Sequence, residues 1–422
     1  MVSESSIVND GGVLPPENDP AREGESEFAI TAEKWVYGGD ALARRDGEIV
    51  LTPFLLPGER AMVATEQAGG VQRGRVVELI EPSAERVAPP CPVFGSCGGC
   101  QYQHAPYEKQ LAWKRDILRE QLKRVGKIEY AGEIETLAGE PFAYRNRVQL
   151  HIVDGNLGFL ERGTHAVVNV EECPISSPGI NKAIRALREM MGDSRFPDFV
   201  RSIELFSNES ETQLNVLNKE RPVAKRFFEW ASEMISGAAE GSLEYAAAGA
   251  VFRVSHNAFF QVNRFLIDPL VEAAIGGAQG GSALDLYAGV GLFSIALAKR
   301  FSKVTAVESA GDSVRDIEFN VERAGARVET IRNRTEHYLA DLTKTPDFVL
   351  ADPPRAGLGK DVVRNLIRLK PQRLTIVSCD PSTLARDLSG LLNNGFRIDR
   401  IMLADLFPQT FHLETIAHLV KA

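Results

Sequence analysis

The strongest constraint on the fold is an alternation of short apolar segments with helical segments after about residue 246. The apolar segments read "GSALDLYAG", "KVTAVES", "DFVLADPP" and "RLTIVSCD". A buried strand followed by a helix, repeated several times, is typical of a parallel sheet with helices on both faces. Residues 246–422 are therefore predicted to form a doubly wound α/β domain.

The chain before this domain divides into three further regions by its local patterns. Residues 1–26 are polar and acidic and contain Pro and Gly, which predicts a disordered tail. Residues 27–84 alternate short β-like segments with Gly-containing turns, which predicts a small antiparallel barrel. Residues 85–245 mix strand-like segments with a few helical ones, and we expect a mixed, mostly β central domain. A chain of 422 residues has room for several such domains.

Charge and hydropathy narrow the possible classes of protein. The net charge of −9 argues mildly against non-specific binding of nucleic acid, which needs clustered Lys and Arg, although it is compatible with a local basic groove. No apolar run reaches the length of a membrane span. The first residues lack the basic-then-apolar order of a secretory signal. A cytoplasmic protein is predicted.

A Gly-containing turn between a strand and a helix marks a candidate cofactor site. In "ALDLYAGVGLFSIALAKR", Gly289 and Gly291 allow a tight turn and a close approach of the backbone to a ligand. A nicotinamide cofactor is one interpretation, but Ser294 stands where the dinucleotide-binding pattern G-x-G-x-x-G has Gly or Ala. With Asp285 before the turn, the pattern D-L-x-x-G-x-G resembles the S-adenosylmethionine loop of Rossmann-like methyltransferases. That ligand carries a sulfonium and no phosphate to repel a carboxylate. Glu308 ends the next strand and is placed to accept hydrogen bonds from ribose hydroxyls.

The segment "LADPPRAGL" gives a second acidic position at the end of a strand. Asp352 is expected at the carboxyl edge of the sheet, where open α/β folds bind ligands. Methyltransferases that act on exocyclic amines often have Asn-Pro-Pro-aromatic in this place. Asp352 and Arg355 stand at those positions here, and they argue against an amine as the methyl acceptor.

Cys379, in "TIVSCDPSTLA", ends the next predicted strand. It is either a buried structural thiol, a common role for cysteine, or a nucleophile on the same edge as the cofactor. The nucleophile would be needed if the methyl acceptor were a carbon such as uracil C5. That carbon is a poor nucleophile until a thiolate adds to C6. A base must then remove the C5 proton so that the thiol can leave. Ser382 is expected to cap the following helix, and the helix N-terminus to favour the thiolate.

The late segment "LFPQTFHLETIAHL" supplies candidates for that base. Strand alternation puts His412 and Glu414 on one face, so either could serve; the simpler alternative is a solvated charge on an edge strand.

Four other cysteines suggest a metal site. Cys91, Cys97 and Cys100 have C-x5-C-x2-C spacing, and Cys173 follows at a distance. Four thiolates suit either a [4Fe–4S] cluster or zinc, and the spacing alone does not choose between them.

Taken together, these motifs resemble the RNA 5-methyluridine methyltransferases along nearly the whole chain from residue 27. "FAYRNRVQLH", "NAFFQVN", "DLYAGVGLF", "DPPRAG", "VSCDPSTLARDL" and "FPQTFHLE" occur in the order of that family. The resemblance implies a Rossmann-like methyltransferase domain, an N-terminal OB-like barrel of the TRAM type that binds RNA, and a [4Fe–4S] cluster. Its ligands would be Cys91, Cys97, Cys100 and Cys173.

The same resemblance implies roles for particular residues. Cys379 would be the nucleophile and Glu414 the general base. The residues implied to contact S-adenosylmethionine are Gln261, Tyr287, Gly289, Glu308, Asn333 and Asp352. Leu292 departs from the family, because several members have Asn there. The side chains predicted to contact RNA are Tyr102, Tyr144, Arg145 and Arg147.

The implied reaction is methyl transfer to C5 of a uridine, with 23S ribosomal RNA favoured as substrate and the T-loop uridine of transfer RNA as the alternative. A non-catalytic RNA-binding iron–sulfur protein is the more distant alternative. No obligate protein partner is inferred.

Overall fold

The computed structural model describes residues 26–68, 71–235, 237–239 and 241–422. The chain divides into two compact units. Counting described residues alone, the first unit comprises those up to residue 113 together with 159–168 and 409–411, and the second comprises those within 114–158, 169–408 and 412–422. The predicted tail lies outside the described residues, except for Ser26. The four-part domain division stays a prediction.

The N-terminal strands form one sheet within the described part of residues 26–81. Its order is β1-β5-β6-β4-β3-β2, and neighbours are antiparallel except for the parallel pair β4–β6. Trp35 is buried in this unit, donates from Nε1 to the Leu55 carbonyl at 2.7 Å and stacks on Tyr102. The strands are β1 Ser26–Thr31, β2 Lys34–Trp35, β3 Asp40–Arg45, β4 Glu48–Pro53, β5 Arg60–Ala68 and β6 Val71–Glu81.

The middle of the chain is mixed and mostly β, as predicted. A second sheet has the order β10-β9-β8-β11-β12-β13, and β14 and β15 form a hairpin. The elements are α1 Tyr107–Arg124, β7 Ile134–Leu137, β8 Arg147–Val153, β9 Asn156–Leu160, β10 Val167–Asn169, α2 Pro178–Met191, β11 Val200–Ser207, β12 Thr212–Lys219, α3 Lys225–Met234, β13 Ala238–Ala239, β14 Leu243–Ala247 and β15 Ala250–Val254.

The C-terminal part contains the predicted parallel sheet. Within the described residues its order is β18-β17-β16-β19-β20-β22-β21-β7, and the strands from β18 to β20 are parallel. The elements are α4 Ile267–Ile275, β16 Gly280–Leu286, α5 Leu292–Leu297, β17 Phe301–Glu308, α6 Gly311–Arg323, β18 Val328–Arg332, α7 Thr335–Asp341, β19 Phe348–Ala351, α8 Gly359–Leu369, β20 Arg373–Ser378, α9 Pro381–Leu392, β21 Phe396–Ala404 and β22 Glu414–Lys421.

Two strands of this sheet differ from the expectation. β22 lies between β20 and β21 and is antiparallel to both, so it is an internal strand and the alternative of a solvated edge strand is wrong. Its first six residues are buried apart from His418, which fits a strand covered on both faces. β7 pairs in parallel with β21, although its four residues come from a region predicted to belong to the central domain.

No helix in the described part of the chain is long and apolar enough to span a membrane.

Candidate active site

The carboxyl ends of neighbouring strands bring the predicted catalytic residues to one edge of the sheet. Cys379 directly follows β20, Asp352 directly follows β19, and Glu414 is the first residue of β22. In the antiparallel pair of β20 and β22, Ser378 lies opposite Thr415. Cys379 and Glu414 come directly after and directly before this last pair, so they lie at the same end of the two strands. The charge of Glu414 acts on the pKa of the Cys379 thiol, which fits two side chains in one site.

The thiol of Cys379 is held protonated in the absence of substrate. Burial raises its pKa to about 11, and the negative charges of Glu414 and Asp352 act in the same direction, while Arg355 opposes them. The expectation that the helix N-terminus favours the thiolate is therefore not met, because the net shift of the pKa is upward. Burial among carboxylates outweighs the effect of the helix on this side chain. A thiol with a high pKa is a strong nucleophile once it is deprotonated.

The turn after Cys379 is fixed by a helix cap. The carboxylate of Asp380 accepts hydrogen bonds from the backbone N–H groups of Ser382 and Thr383, at 3.0 and 2.8 Å. Asp380 is thus the N-cap of α9, and Pro381 is its first residue. The expectation that Ser382 caps this helix is wrong, because the helix already begins at Pro381 and Ser382 lies within its first turn.

Glu414 is a buried carboxylate with a raised proton affinity. Its side chain is 6% exposed. Burial raises its pKa well above the ordinary value, the charge of Asp352 adds to this, and Arg355 opposes it. A carboxylate of raised pKa is a better proton acceptor than an exposed one, so the environment suits a general base.

His412 lies in the loop before β22. The strand begins only at Glu414, so the alternation expected to align His412 with Glu414 does not apply. Nη2 of Arg355 is 3.2 Å from Nδ1 of His412, and the ring makes an edge contact with Phe407. Burial, followed by Arg355, lowers the pKa of His412 to about 4. The imidazole is therefore neutral at pH 7.

Arg355 is a candidate site residue that the sequence-based prediction did not include. It is exposed, and its positive charge lowers the pKa of Cys379, Glu414 and His412 alike. The signal was present in "DPPRAG", but that Arg was used only to argue against an amine acceptor. The sequence pattern did not indicate that its charge would act on both ends of the reaction.

Replacement of Arg355 by Ala is expected to make methyl transfer more dependent on high pH. Loss of the cation raises the pKa of both Cys379 and Glu414, which must be deprotonated to act. At pH 7 the rate should fall about tenfold for each unit by which the pKa of Cys379 rises. A pH–rate profile of the R355A variant should rise at higher pH than that of the unmodified protein.

Two matched variants control this measurement. R355K keeps the charge and should restore most of the profile, and R364A removes an exposed arginine on α8 that pairs with Asp361. An equal loss of R355A activity at every pH would contradict the electrostatic role.

The predicted cofactor loop has a strained backbone. Tyr287, Gly289 and Gly291 have φ values of 62°, 56° and 93°, in the left-handed region. Only glycine adopts this region without strain, so the conformation of Tyr287 carries a cost that the surrounding structure sustains. Burial raises the pKa of Tyr287 to about 12, and its hydroxyl is engaged by Thr335.

Two carboxylates hold this loop. Glu308 accepts backbone N–H groups from Gly289 at 2.9 Å, and from Ser309 and Ala310 at 2.6 and 2.7 Å. Ser294, which departs from the dinucleotide fingerprint, donates its hydroxyl to the other carboxylate, that of Asp285.

The environment of Asp285 makes it a weak acid. Burial raises its pKa to about 7, and the charges of Asp352 and Glu308 add to this. Burial also raises the pKa of Asp352 to about 7. Acids grouped in this way favour a cationic ligand over a pyrophosphate.

Two other predicted cofactor residues, Gln261 and Asn333, each contact one of the acidic residues of this region. Nε2 of Gln261 is 3.5 Å from Oδ2 of Asp352. Asn333 follows β18, and its backbone N–H donates to the carbonyl of Glu308 at 3.0 Å. Leu292, the departure from the family pattern, is buried in the hydrophobic core around α5. Their roles toward a cofactor stay predictions.

Replacement by alanine is expected to reduce stability by different amounts at the two glycines of the loop. A Cβ on Gly291 would lie 2.7 Å from Cγ1 of Ile317, whereas a Cβ on Gly289 would meet nothing within 4 Å. G291A should lower the free energy of unfolding by about 3 kcal/mol, from strain plus overpacking. G289A should lower it by about 1 kcal/mol, from strain alone. Denaturant unfolding measures both, and equal losses would contradict the packing argument.

The cysteine loop belongs to the first compact unit. Cys91 and Cys100 pack in one cluster with Phe54 and Phe94, and the backbone N–H of Cys97 donates to the carbonyl of Val93 at 3.0 Å.

Cys173 belongs to the second unit, where its N–H and carbonyl are both bonded to the side chain of Asn181. Among the described residues, no three His, Cys, Asp or Glu side chains are arranged to hold a metal ion. The predicted cluster and its ligands stay a prediction.

Two of the predicted RNA contacts are wrong. Tyr102 and Tyr144 are fully buried, so neither can stack on a base. Tyr144 donates its hydroxyl to the carbonyl of Pro408 at 3.0 Å. Arg147 donates to the carbonyl of Ala258 at 2.8 Å, and Nε of Arg145 donates to the carbonyl of Arg147 at 2.9 Å. In the segment "FAYRNRVQLH", Tyr144, Arg145 and Arg147 therefore make structural contacts with the backbone of the chain itself.

Comparison with known proteins decides the family. The 23S rRNA (uracil(1939)-C(5))-methyltransferase RlmD of Halomonas elongata is 32% identical in an alignment that covers 95% of this chain and 90% of the relative. The chain belongs to the RNA 5-methyluridine methyltransferase family. An RNA methyltransferase of Streptomyces avermitilis is also 32% identical, over 94% of this chain and 98% of the relative.

Family and fold comparisons agree with this assignment. Residues 237–422 match the tRNA (Uracil-5-)-methyltransferase family. The crystal structure of Pyrococcus abyssi tRNA (uracil-54, C5)-methyltransferase, with S-adenosyl-L-homocysteine, superposes with a TM-score of 0.75 at 27% identity. The match covers 93% of this chain and all of that one. As a member of the RNA 5-methyluridine methyltransferases, the chain is an S-adenosylmethionine-dependent enzyme. The alternative of a non-catalytic RNA-binding iron–sulfur protein is therefore not retained. The comparison also confirms the predicted fold class.

Proposed function

We propose that this enzyme methylates C5 of a specific uridine in 23S ribosomal RNA through a covalent bond between Cys379 and C6 of the base. The observation that carries the proposal is the pairing of β20 with β22, which ends with Ser378 opposite Thr415 and so leaves Cys379 and Glu414 at one end of the pair. Asp352 and Arg355 act on the pKa of both side chains. A nucleophile and a base of raised proton affinity in one site meet the needs of methylation at an unactivated carbon.

In the proposed sequence, the thiol of Cys379 first loses its proton to solvent. The thiolate then adds to C6, and the electron pair of the C5–C6 double bond shifts toward C5 and the O4 carbonyl. S-adenosylmethionine, when bound, supplies an electrophilic methyl group. As the new C5–methyl bond forms, the S–CH3 bond breaks and its electron pair stays on sulfur. Glu414 then takes the C5 proton, the C5–C6 double bond re-forms, and Cys379 leaves as the thiolate.

Glu414 is preferred to His412 as the base. A pKa of about 4 makes His412 the weaker proton acceptor at neutral pH, whereas the pKa of Glu414 is raised. His412 instead faces Arg355, so it is suited to hold that cation near the reacting groups.

The cofactor is expected to bind at the Gly289 turn. Gln261, Asp352 and Glu308 lie at or near this edge and would hold its amino acid and ribose parts, together with Tyr287, Gly289 and Asn333. The grouped acids Asp285 and Asp352 suit its positive charge.

The choice of RNA rests on the relatives. The RlmD relative acts on 23S ribosomal RNA, and the Pyrococcus abyssi relative acts on transfer RNA. The first shares more sequence identity, so ribosomal RNA is favoured, and the TRAM-type barrel is expected to bind it. A cytoplasmic site of action fits either RNA.

Mass spectrometry of both RNAs tests the choice. Ribosomal and transfer RNA from a deletion strain would be incubated with the enzyme and S-adenosylmethionine. A single new 5-methyluridine in 23S ribosomal RNA is expected. A methyl group in the T-loop of transfer RNA alone would support the alternative, and no methyl group at C5 in either would overturn the proposed function.

We also propose that Cys91, Cys97, Cys100 and Cys173 hold a [4Fe–4S] cluster, with a structural role. The support is the family resemblance and the supply of three thiols within ten residues. No step of the methyl transfer uses the cluster, because no electron is gained or lost. Enzyme purified without oxygen should be brown and contain about four iron atoms per chain. Stoichiometric zinc without iron would contradict the cluster.

A further inference from the structure

A buried ion pair lies behind the loop that leads to the proposed base. Nζ of Lys114, on α1, is 2.6 Å from Oδ1 of Asp405, and both side chains are fully buried. Buried ion pairs seldom raise stability over apolar residues of similar size, because both charges lose their hydration. The mechanism above gives this pair no role, so its position in the fold is informative.

Lys114 also binds the backbone of the loop. Nζ donates to the carbonyl of Phe407 at 3.0 Å. The carbonyl before it, of Leu406, accepts from Nδ2 of Asn263 at 3.2 Å, and the next one, of Pro408, accepts from the hydroxyl of Tyr144 at 3.0 Å.

Three successive carbonyls are thus each held by a buried side chain from a different part of the chain. Asn263 and Tyr144 are both at most 1% exposed. The backbone N–H of Asp405 donates to the carbonyl of Leu137 on β7 at 2.8 Å, which fixes the start of the same segment.

Residues 405–408 join β21 to the segment that carries His412 and Glu414. An irregular loop has no ladder of its own to fix its path, so its conformation depends on such contacts. A charged donor forms a stronger hydrogen bond to a carbonyl than a neutral one. The Lys114 charge also reaches the reacting region, since it contributes to the lowered pKa of His412.

We propose that Lys114 is a positioning residue for Glu414. By holding the Asp405 side chain and the Phe407 carbonyl together, it sets the path of the loop so that the Glu414 carboxylate reaches the C5 proton. This inference rests on the proposed function, and Lys114 itself touches neither substrate nor cofactor in it.

The test compares K114M with the double variant K114M/D405N. K114M leaves the Asp405 charge buried without its partner and should lower the melting temperature, and the double variant should recover most of that loss. Both should lower kcat about 100-fold, since displacement of a catalytic group by about 1 Å has that effect, with KM for RNA and cofactor within about threefold.

A second readout separates positioning from a general loss of structure. With ordinary uridine RNA, both variants should accumulate a covalent protein–RNA complex that already carries the methyl group, because removal of the C5 proton is the slowed step. K123M, an exposed lysine of the same helix that pairs with Glu129, is the matched control and should behave like the unmodified enzyme.

The outcomes are distinct. Recovery of both melting temperature and kcat in K114M/D405N would overturn the proposal, because Lys114 would then serve only to neutralise Asp405. Loss of the covalent complex in both variants would also overturn it, since the affected step would precede proton removal. If the unmodified enzyme formed no complex with 5-fluorouridine RNA, the proposed function itself would fail, which is a separate result.

Discussion

Replacement of Cys379 by Ala is expected to lower the rate of methyl transfer by about four orders of magnitude or more, since the reaction then has no nucleophile. Without addition to C6, C5 of the uracil does not become reactive enough to accept the methyl group. RNA and S-adenosylmethionine should still bind, because the thiol is small and only partly buried at the end of β20. Single-turnover assays with radiolabelled methyl groups measure the loss, and separate binding assays measure retention.

Two controls give this result its meaning. C379S keeps the size of the side chain, but its hydroxyl is a far weaker nucleophile, so it should be nearly as inactive as C379A. C173S changes a cysteine of the predicted cluster, and it should retain a Cys379-dependent adduct whenever the folded protein is recovered. Residual turnover in C379A within about a hundredfold of normal would contradict covalent catalysis.

The second large effect is expected from Glu414→Gln. The amide keeps the shape of the side chain but cannot take the C5 proton. Addition and methyl transfer should therefore proceed, and elimination should stop. Turnover should fall by about three to four orders of magnitude, and a stable covalent complex should accumulate with ordinary RNA and S-adenosylmethionine. Denaturing gel electrophoresis detects that complex.

H412Q is the matched variant for this experiment. His412 is two residues away in the same segment and is held neutral beside Arg355. Its replacement should leave turnover within about tenfold and trap no complex. The reverse pattern, with H412Q trapping the complex and E414Q turning over, would transfer the role of base to His412.

The parallel half of the sheet could be predicted from sequence, because its strands are short, largely apolar segments, several of which end in or directly precede a polar residue. The same feature identified Asp352 and Cys379, which directly follow β19 and β20. Residues at the ends of neighbouring parallel strands meet at one edge whatever the details of packing. The resemblance to a family then supplied Glu414, which local pattern alone left level with His412.

The antiparallel part could not be predicted in the same way. Nothing in the local sequence says that β22 inserts between β20 and β21, or that β7 pairs with β21, since these pairings join segments far apart in the chain. Lys114 and Tyr144 illustrate the consequence. One sits on an ordinary amphipathic helix and the other in a motif interpreted as RNA-binding, yet both hold the loop before Glu414.

The environment of the thiol was also beyond sequence reasoning. The position of Cys379 before a helix argued for a lowered pKa, but burial near Glu414 and Asp352 raises it. Those two carboxylates lie far from Cys379 in sequence, and only the folded sheet brings them together.

The central claim is most directly tested by mass spectrometry of the complex formed with 5-fluorouridine RNA and S-adenosylmethionine. Fluorine at C5 cannot be removed as a proton, so the enzyme should stay bound after methyl transfer. The expected product is one nucleotide, carrying both fluorine and the new methyl group, attached to the peptide that contains Cys379. No adduct, or an adduct on any other residue, would contradict the account.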